Sequence, residues 1–171
     1  MVHREPPIDI RPADPSQYTA IGELCVRAYI AGGHLTSGDP YETTLRDVAG
    51  RDTGGTVLVA MREGELVGTA TICNPGSACS EVSRPGEAEF RFLAVSPQSW
   101  GTGVGEALVN TLHARARVDG ASAMVICVMA HNHAGHRFYT RLGYQRLPER
   151  DWSPVPAVSL QAYAFDLQAD G

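Results

Sequence analysis

The segment Gln98-Ser99-Trp100-Gly101-Thr102-Gly103-Val104-Gly105 joins an apolar run to one with helical spacing. Glycines there let the backbone come close to a ligand, and the first free N–H groups of the following helix, with its dipole, favour an anion. That chemistry suits a pyrophosphate. A Walker loop would need Gly-Lys-Ser/Thr, and a dinucleotide fingerprint would need a small residue where Glu106 stands, so residue type excludes both. Taken alone, Gly101, Gly103 and Gly105 could simply make a tight strand-to-helix turn, and motifs further along the chain argue for the ligand.

The elements around this loop read as mixed α and β. Ile8 to Arg11 is expected as a short strand, and Asp14-Pro15-Ser16 as the start of a helix reaching about Ile30. A second short helix is expected from Pro40 to Val48, ended by Gly50. Thr56–Met61 and Glu65–Cys73 read as a hairpin across Arg62-Glu63-Gly64. Glu89 to Val95 is a buried strand, stopped by Ser96-Pro97. The apolar positions Val104, Leu108, Val109, Leu112 and Ala116 set a helix over Val104–Val118. A strand Ala123–Met129, a helix Ala134–Leu142 and strands Tyr144–Leu147 and Val158–Leu167 follow, with Pro154-Val155-Pro156 as a loop.

A chain of 171 residues with 43% apolar content fits one domain able to bury a core and shape a cleft. The net charge of -5 and the lack of a basic run argue against a nucleic-acid partner. With no signal peptide and no apolar run long enough to span a bilayer, no membrane partner is expected and a cytoplasmic setting is. A reducing compartment makes structural disulfides among Cys25, Cys73, Cys79 and Cys127 improbable, and Cys25 and Cys127 read as core residues.

Gln98 to Gly103 matches the acetyl-CoA signature of the GNAT superfamily of N-acetyltransferases, which the chain resembles over nearly its whole length. The resemblance implies a mixed, largely antiparallel α/β sheet of six to seven strands, splayed at the central strand and flanked by about four helices. It puts the pyrophosphate on backbone N–H groups from Trp100 through Gly101, Thr102, Gly103 and Val104 to Gly105, with Gln98 shaping the loop. It lays the pantetheine arm beside Leu93, Ala94 and Val95, where a bulge is expected.

Acetyl transfer to an amine needs a base, because a lysine-like amine has a pKa of about 10.4. Glu89 is the candidate, at an offset similar to a base glutamate in one branch of the family, and Glu87 is the next. The plainer reading of Glu89 is a carboxylate paired with a cation. Asn132, Phe138-Tyr139 and Gly143-Tyr144 resemble a second family pattern, in which the tyrosine protonates the departing thiolate and the asparagine contacts the pantetheine. A core aromatic is the plainer reading of Tyr139. His131, His133 and His136 read as surface residues and no metal is expected. Trp152 is a candidate wall of the acceptor cleft.

These readings make the protein a single-domain, acetyl-CoA-dependent N-acetyltransferase with an amine acceptor, whether small molecule, peptide or protein, working by direct transfer in a ternary complex. The alternatives are a coenzyme-binding sensor without turnover and a transferase for another acyl group. A homodimer stays open as an assembly.

Overall fold

The computed structural model describes residues 4–169. Within them, eight strands and five α-helices follow in the order β1 (Asp9–Pro12), α1 (Tyr18–Ala31), α2 (Tyr41–Arg46), α3 (Val48–Gly54), β2 (Gly55–Arg62), β3 (Glu65–Cys73), β4 (Glu87–Val95), α4 (Val104–Val118), β5 (Ala123–Met129), α5 (His133–Arg141), β6 (Gln145–Arg146), β7 (Trp152–Val155) and β8 (Val158–Asp166). The strands form a mixed, mostly antiparallel sheet, one strand and one helix richer than the expected upper counts. By contact density the chain divides into two units: residues up to Ile72 with Phe92–Thr111, and Cys73–Arg91 with Leu112 onward.

In the first unit, the start of the chain is organised by local capping. The Asp14 carboxylate accepts the Ser16 N–H at 2.9 Å while Gln17 Oε1 accepts the Asp14 N–H at 2.9 Å, so the turn ahead of α1 meets its own backbone donors. The apolar face of α1 then buries Ile21, Leu24, Cys25, Val26 and Ala28 with Val57 and Val59 of β2 and with Phe92 and Ala94 of β4. Burial of each large aliphatic side chain contributes roughly 1.5–3 kcal/mol, which is what fixes α1 to the sheet. β1 pairs antiparallel with β2, Asp9 opposite Met61 and Pro12 opposite Leu58. β2 turns into β3 through Glu63 and Gly64, at φ 50° and 80°, the two left-handed residues that a tight hairpin turn requires.

The expected single helix Pro40–Val48 is two helices. Asp47 leaves the helical conformation, at φ -79° and ψ 62°, and its carboxylate accepts the Gly50 N–H at 3.1 Å. A side-chain oxygen that caps a backbone N–H starts a new helix, so Gly50 lies inside α3 instead of ending α2. The extra helix carries Arg51 into the core at 7% exposure. Its Nη1 donates to the carbonyls of Thr44 and Leu45, and its guanidinium lies 4.4 Å from the centroid of the Phe92 ring.

In the second unit the start of β4 runs parallel to β5, from Glu87 opposite Ala123 to Glu89 opposite Val125. β5 pairs antiparallel along its whole length with β8, which also pairs with β6 and β7. The Pro154 region, expected as a loop, is the strand β7, with Trp152 opposite Leu160 and a register irregularity before Val155. Proline lacks an N–H and is tolerated on an outer strand or at a bulge, which is how the sheet accepts Pro154 here. A second correction concerns the cysteines. Cys73 and Cys79 are joined by a disulfide, because the connection after β3 folds back and brings their Cα atoms to 5.3 Å, within bridging range.

Candidate active site

The glycine loop is held in shape by its own polar groups. Pro97–Ser99 forms a single turn after β4, and Gly101 and Gly103 take φ of 74° and 88°, a backbone state open to glycine at little cost. Ser96 Oγ donates to Gln98 Oε1 at 2.7 Å, so the Gln98 side chain ties the turn to the end of β4. The Trp100 indole N–H donates to the Val95 carbonyl at 2.8 Å, folding this half-exposed ring back over the loop. Thr102 Oγ1 donates to the Ser99 carbonyl at 2.6 Å and accepts from Arg62 Nη1 at 2.9 Å. Ala107 N–H makes the opening bond of α4, to the Gly103 carbonyl at 3.0 Å. The N–H groups of Val104 and Gly105 therefore precede the helical ladder and are free to meet an anion.

Phe92 departs from regular strand geometry inside β4. It is buried yet sits at φ 57°, a left-handed state that a bulky residue adopts only under constraint. The period-2 alternation expected from Glu89 and Arg91 to Leu93 and Val95 therefore does not run unbroken through Phe92. Leu93 and Val95 are half-buried and Ala94 is buried, and the Val95 carbonyl is the one taken by Trp100.

Glu89 is 2% exposed, with its carboxylate wrapped by the connection that leads into β4. Oε2 accepts the Glu81 N–H at 2.8 Å, and Oε1 accepts the N–H groups of Val82 at 3.0 Å and Ser83 at 2.8 Å. Three backbone donors on one carboxylate fix the loop as much as the side chain. Glu87 is bound differently. Burial pushes its carboxyl up, but two Arg150 hydrogen bonds at 2.6 and 2.9 Å and the Arg84 N–H outweigh it and hold the group below the ordinary glutamate value. A carboxylate held that way is a poor proton acceptor.

Asn132 caps α5: its Oδ1 accepts the Gly135 N–H at 2.9 Å, which leaves the amide N–H groups as the part of the side chain that could meet a ligand. A methyl group at Gly135 would come within 2.5 Å of the Asn132 side chain, so glycine there goes with the close cap. One turn later Tyr139 packs against Phe90, Phe138 and Tyr144, with ring centroids 6.2, 4.9 and 5.4 Å away. Burial pushes its hydroxyl above the ordinary value of 10, so at neutral pH it carries its proton and can donate it. Behind it, Tyr144 Oη and His113 Nε2 are 2.6 Å apart, and burial with the Arg117 charge lowers His113 to about 4.

The sequence of residues 18–144 matches the Acetyltransferase (GNAT) family. The chain belongs to that family. Membership of that family makes the chain an acyltransferase. Solved structures with the same fold include the ribosomal-protein-S18-alanine N-acetyltransferase of Escherichia coli, with a TM-score of 0.70 at 19% identity, covering 96% of this chain and 97% of that one. The PaiA N-acetyltransferase of Thermoplasma acidophilum, in complex with coenzyme A, gives 0.71 at 14% identity, covering 93% and 99%. The yncA protein of Salmonella typhimurium, with its cofactor acetyl-CoA, gives 0.65 at 24% identity, covering 95% of each chain. No protein of curated function matches the sequence.

His136 is part-buried, its Nδ1 2.6 Å from Tyr163 Oη and its Nε2 facing the Met129 and Ala130 carbonyls, so Nε2 carries a proton and the ring pins α5 to the end of β5. Among the described residues no group of three His, Cys, Asp or Glu is placed to hold a metal ion. Burial pushes Cys25 to about 11 and Cys127 to about 12, so both stay as thiols at neutral pH. Trp152 is partly exposed, at 36%, on β7. A groove of about 420 Å³ lies on α5, lined by His136, Arg137, Thr140 and Arg141, none of them a candidate residue.

Three residues escaped the sequence reading. Arg51 lies under Phe92 and Arg62 lies under Thr102, while Glu81, whose N–H holds Glu89, turns its own carboxylate to Arg91 Nε at 2.8 Å. Burial raises Glu81 above the ordinary glutamate value, against the opposing pull of Arg91. No motif marks any of them, since Arg62 acts across 40 residues, Arg51 over a similar span, and Glu81 from an irregular connection 8 residues before Glu89.

Proposed function

We propose that this protein is an acetyl-CoA-dependent N-acetyltransferase that moves an acetyl group to a primary amine by direct transfer in a ternary complex. The observation that carries the reading is the glycine loop: two left-handed glycines and, at the start of α4, N–H groups outside the helical ladder, in a chain of the GNAT family. Pyrophosphate oxygens would accept from the backbone between Trp100 and Gly105. The fold neighbours that hold acetyl-CoA and coenzyme A support the choice of ligand.

In the reaction the amine nitrogen bonds to the acetyl carbon, the carbonyl electrons move onto oxygen, and the carbon–sulfur bond then breaks. Backbone N–H groups of β4 near Leu93 stabilise the oxyanion, the left-handed backbone at Phe92 turning the strand for that task. Tyr139 gives its proton to the departing thiolate, for which a hydroxyl kept protonated by burial is suited. The proton lost by the amine passes to Glu89 or to a water chain. The three N–H donors already on Glu89 favour water as the immediate acceptor.

Calorimetry with acetyl-CoA on wild type, Gly103→Ala and Gly103→Glu tests the ligand placement. A Cβ at Gly103 meets nothing within 4 Å, so both variants carry the same backbone strain and differ in the bulk and charge brought to the loop. Gly103→Ala is expected to keep measurable binding and Gly103→Glu to abolish it. Unchanged affinity in a folded Gly103→Glu protein would refute the placement. A screen of amines with thiol detection then finds the acceptor.

A further inference from the structure

A backbone loop that holds an anion has to dispose of its carbonyl oxygens, which repel negative charge as strongly as the N–H groups attract it. Thr102 stands between Gly101 and Gly103, and its carbonyl is taken by Arg62, the last residue of β2, whose Nη2 donates to it at 3.1 Å. Nη1 of the same guanidinium donates to Thr102 Oγ1 at 2.9 Å, and that hydroxyl in turn donates to the Ser99 carbonyl at 2.6 Å. Two loop carbonyls are thus satisfied through one arginine and one threonine.

The arginine is itself withdrawn from water. Its side chain is 10% exposed, against 62% for the Glu5 carboxylate 3.5 Å away. Its Nε is buried without a hydrogen-bond partner among the described residues. A guanidinium so placed carries a desolvation cost that one loose, exposed carboxylate offsets only in part. A diphosphate on the loop would supply the missing negative charge.

We propose that Arg62 is a coenzyme-binding residue of this enzyme: its guanidinium holds the Thr102 carbonyl and hydroxyl away from the pyrophosphate and sets a fixed positive charge beside it. The inference rests on the reading that the glycine loop takes the pyrophosphate of acetyl-CoA. Lysine cannot replace the planar fork that grips two oxygens of one residue, so charge alone does not restore the arrangement.

Calorimetry with coenzyme A and with dephospho-coenzyme A, which keeps the pyrophosphate and lacks the 3′-phosphate, tests this on the full chain of wild type, Arg62→Met and Arg62→Lys. Arg62→Met is expected to weaken both ligands by the same factor, about 10- to 100-fold, as for loss of charge-assisted hydrogen bonds. Arg62→Lys falls between, and the salt dependence of binding is shallower in Arg62→Met alone. Thermal melts report folding, and Arg62→Lys carries the test if Arg62→Met does not fold. Wild-type affinity in a folded variant overturns the proposal. So does a loss confined to coenzyme A with dephospho-coenzyme A unaffected, which would put Arg62 on the 3′-phosphate. A wild-type protein that binds coenzyme A no better than pantetheine removes the pyrophosphate reading itself, and Arg62's role with it.

Discussion

Glu89 and Ser83 are tied by a 2.8 Å hydrogen bond in which the backbone N–H of Ser83 donates to the buried Glu89 carboxylate, beside matching donations from Glu81 and Val82. From the sequence Glu89 is a base or a carboxylate paired with a cation, and its partners are backbone N–H groups instead. The two roles separate under one substitution. Glu89→Gln keeps the shape but turns an amide N–H₂ toward backbone donors, so an anchoring role predicts a loss of about 2–4 kcal/mol in urea unfolding. Turnover then falls in step with loop order. A base role predicts near-wild-type stability with turnover down about a hundredfold or more. The geometry leads us to expect the first pattern.

Tyr139 is expected to act in turnover more than in binding. Tyr139→Phe keeps the ring and its contacts with Phe90, Phe138 and Tyr144, so stability should change little. Loss of the proton donor should lower kcat about a hundredfold, the lower end of general acid catalysis because a thiolate is a fair leaving group. Steady-state kinetics with the acceptor found by screening, set against acetyl-CoA affinity, checks it. Wild-type kcat would reduce Tyr139 to a packing residue.

His113 gives stability a pH dependence of known sign. Burial, then the Arg117 charge, lowers it from 6.5 to about 4 in the folded protein. Between those values the unfolded chain binds a proton that the folded chain does not. Stability therefore falls as pH falls through that window and stops falling from this source below it. Urea midpoints of wild type and His113→Gln at pH 7 and pH 4.5 should show the larger acid loss in wild type. Parallel losses would assign the acid sensitivity to other groups.

Gly68 marks a close approach of β3 to α4. A Cβ there would stand 2.8 Å from Val104 Cγ1 and 3.0 Å from Leu108 Cδ1, and a buried β-branched valine has little room to turn aside. Gly68→Ala is expected to cost about 1–3 kcal/mol by overpacking. Because Val104 begins the helix that closes the glycine loop, acetyl-CoA affinity should weaken as well. Thermal melts and calorimetry on the same sample read both effects.

The sequence by itself determined the elements whose signal is local. Glu65–Cys73, Val104–Val118 and Ala123–Met129 fall where apolar period and glycine stops put them, and the turn after β4 was legible because consecutive residues, Ser96-Pro97 and the glycines, mark it. Tertiary structure decided what depends on chain reversal. Arg62 meets Thr102 across 40 residues, Arg150 meets Glu87 across 63, and the donors on Glu89 come from a connection with no regular pattern of its own. The Cys73–Cys79 bridge and the strand β7 belong to the same class, since one needs a folded-back loop and the other a partner strand already in place. Side-chain chemistry is written in the sequence, but which groups share a few ångströms is set by packing that no window of neighbouring residues contains.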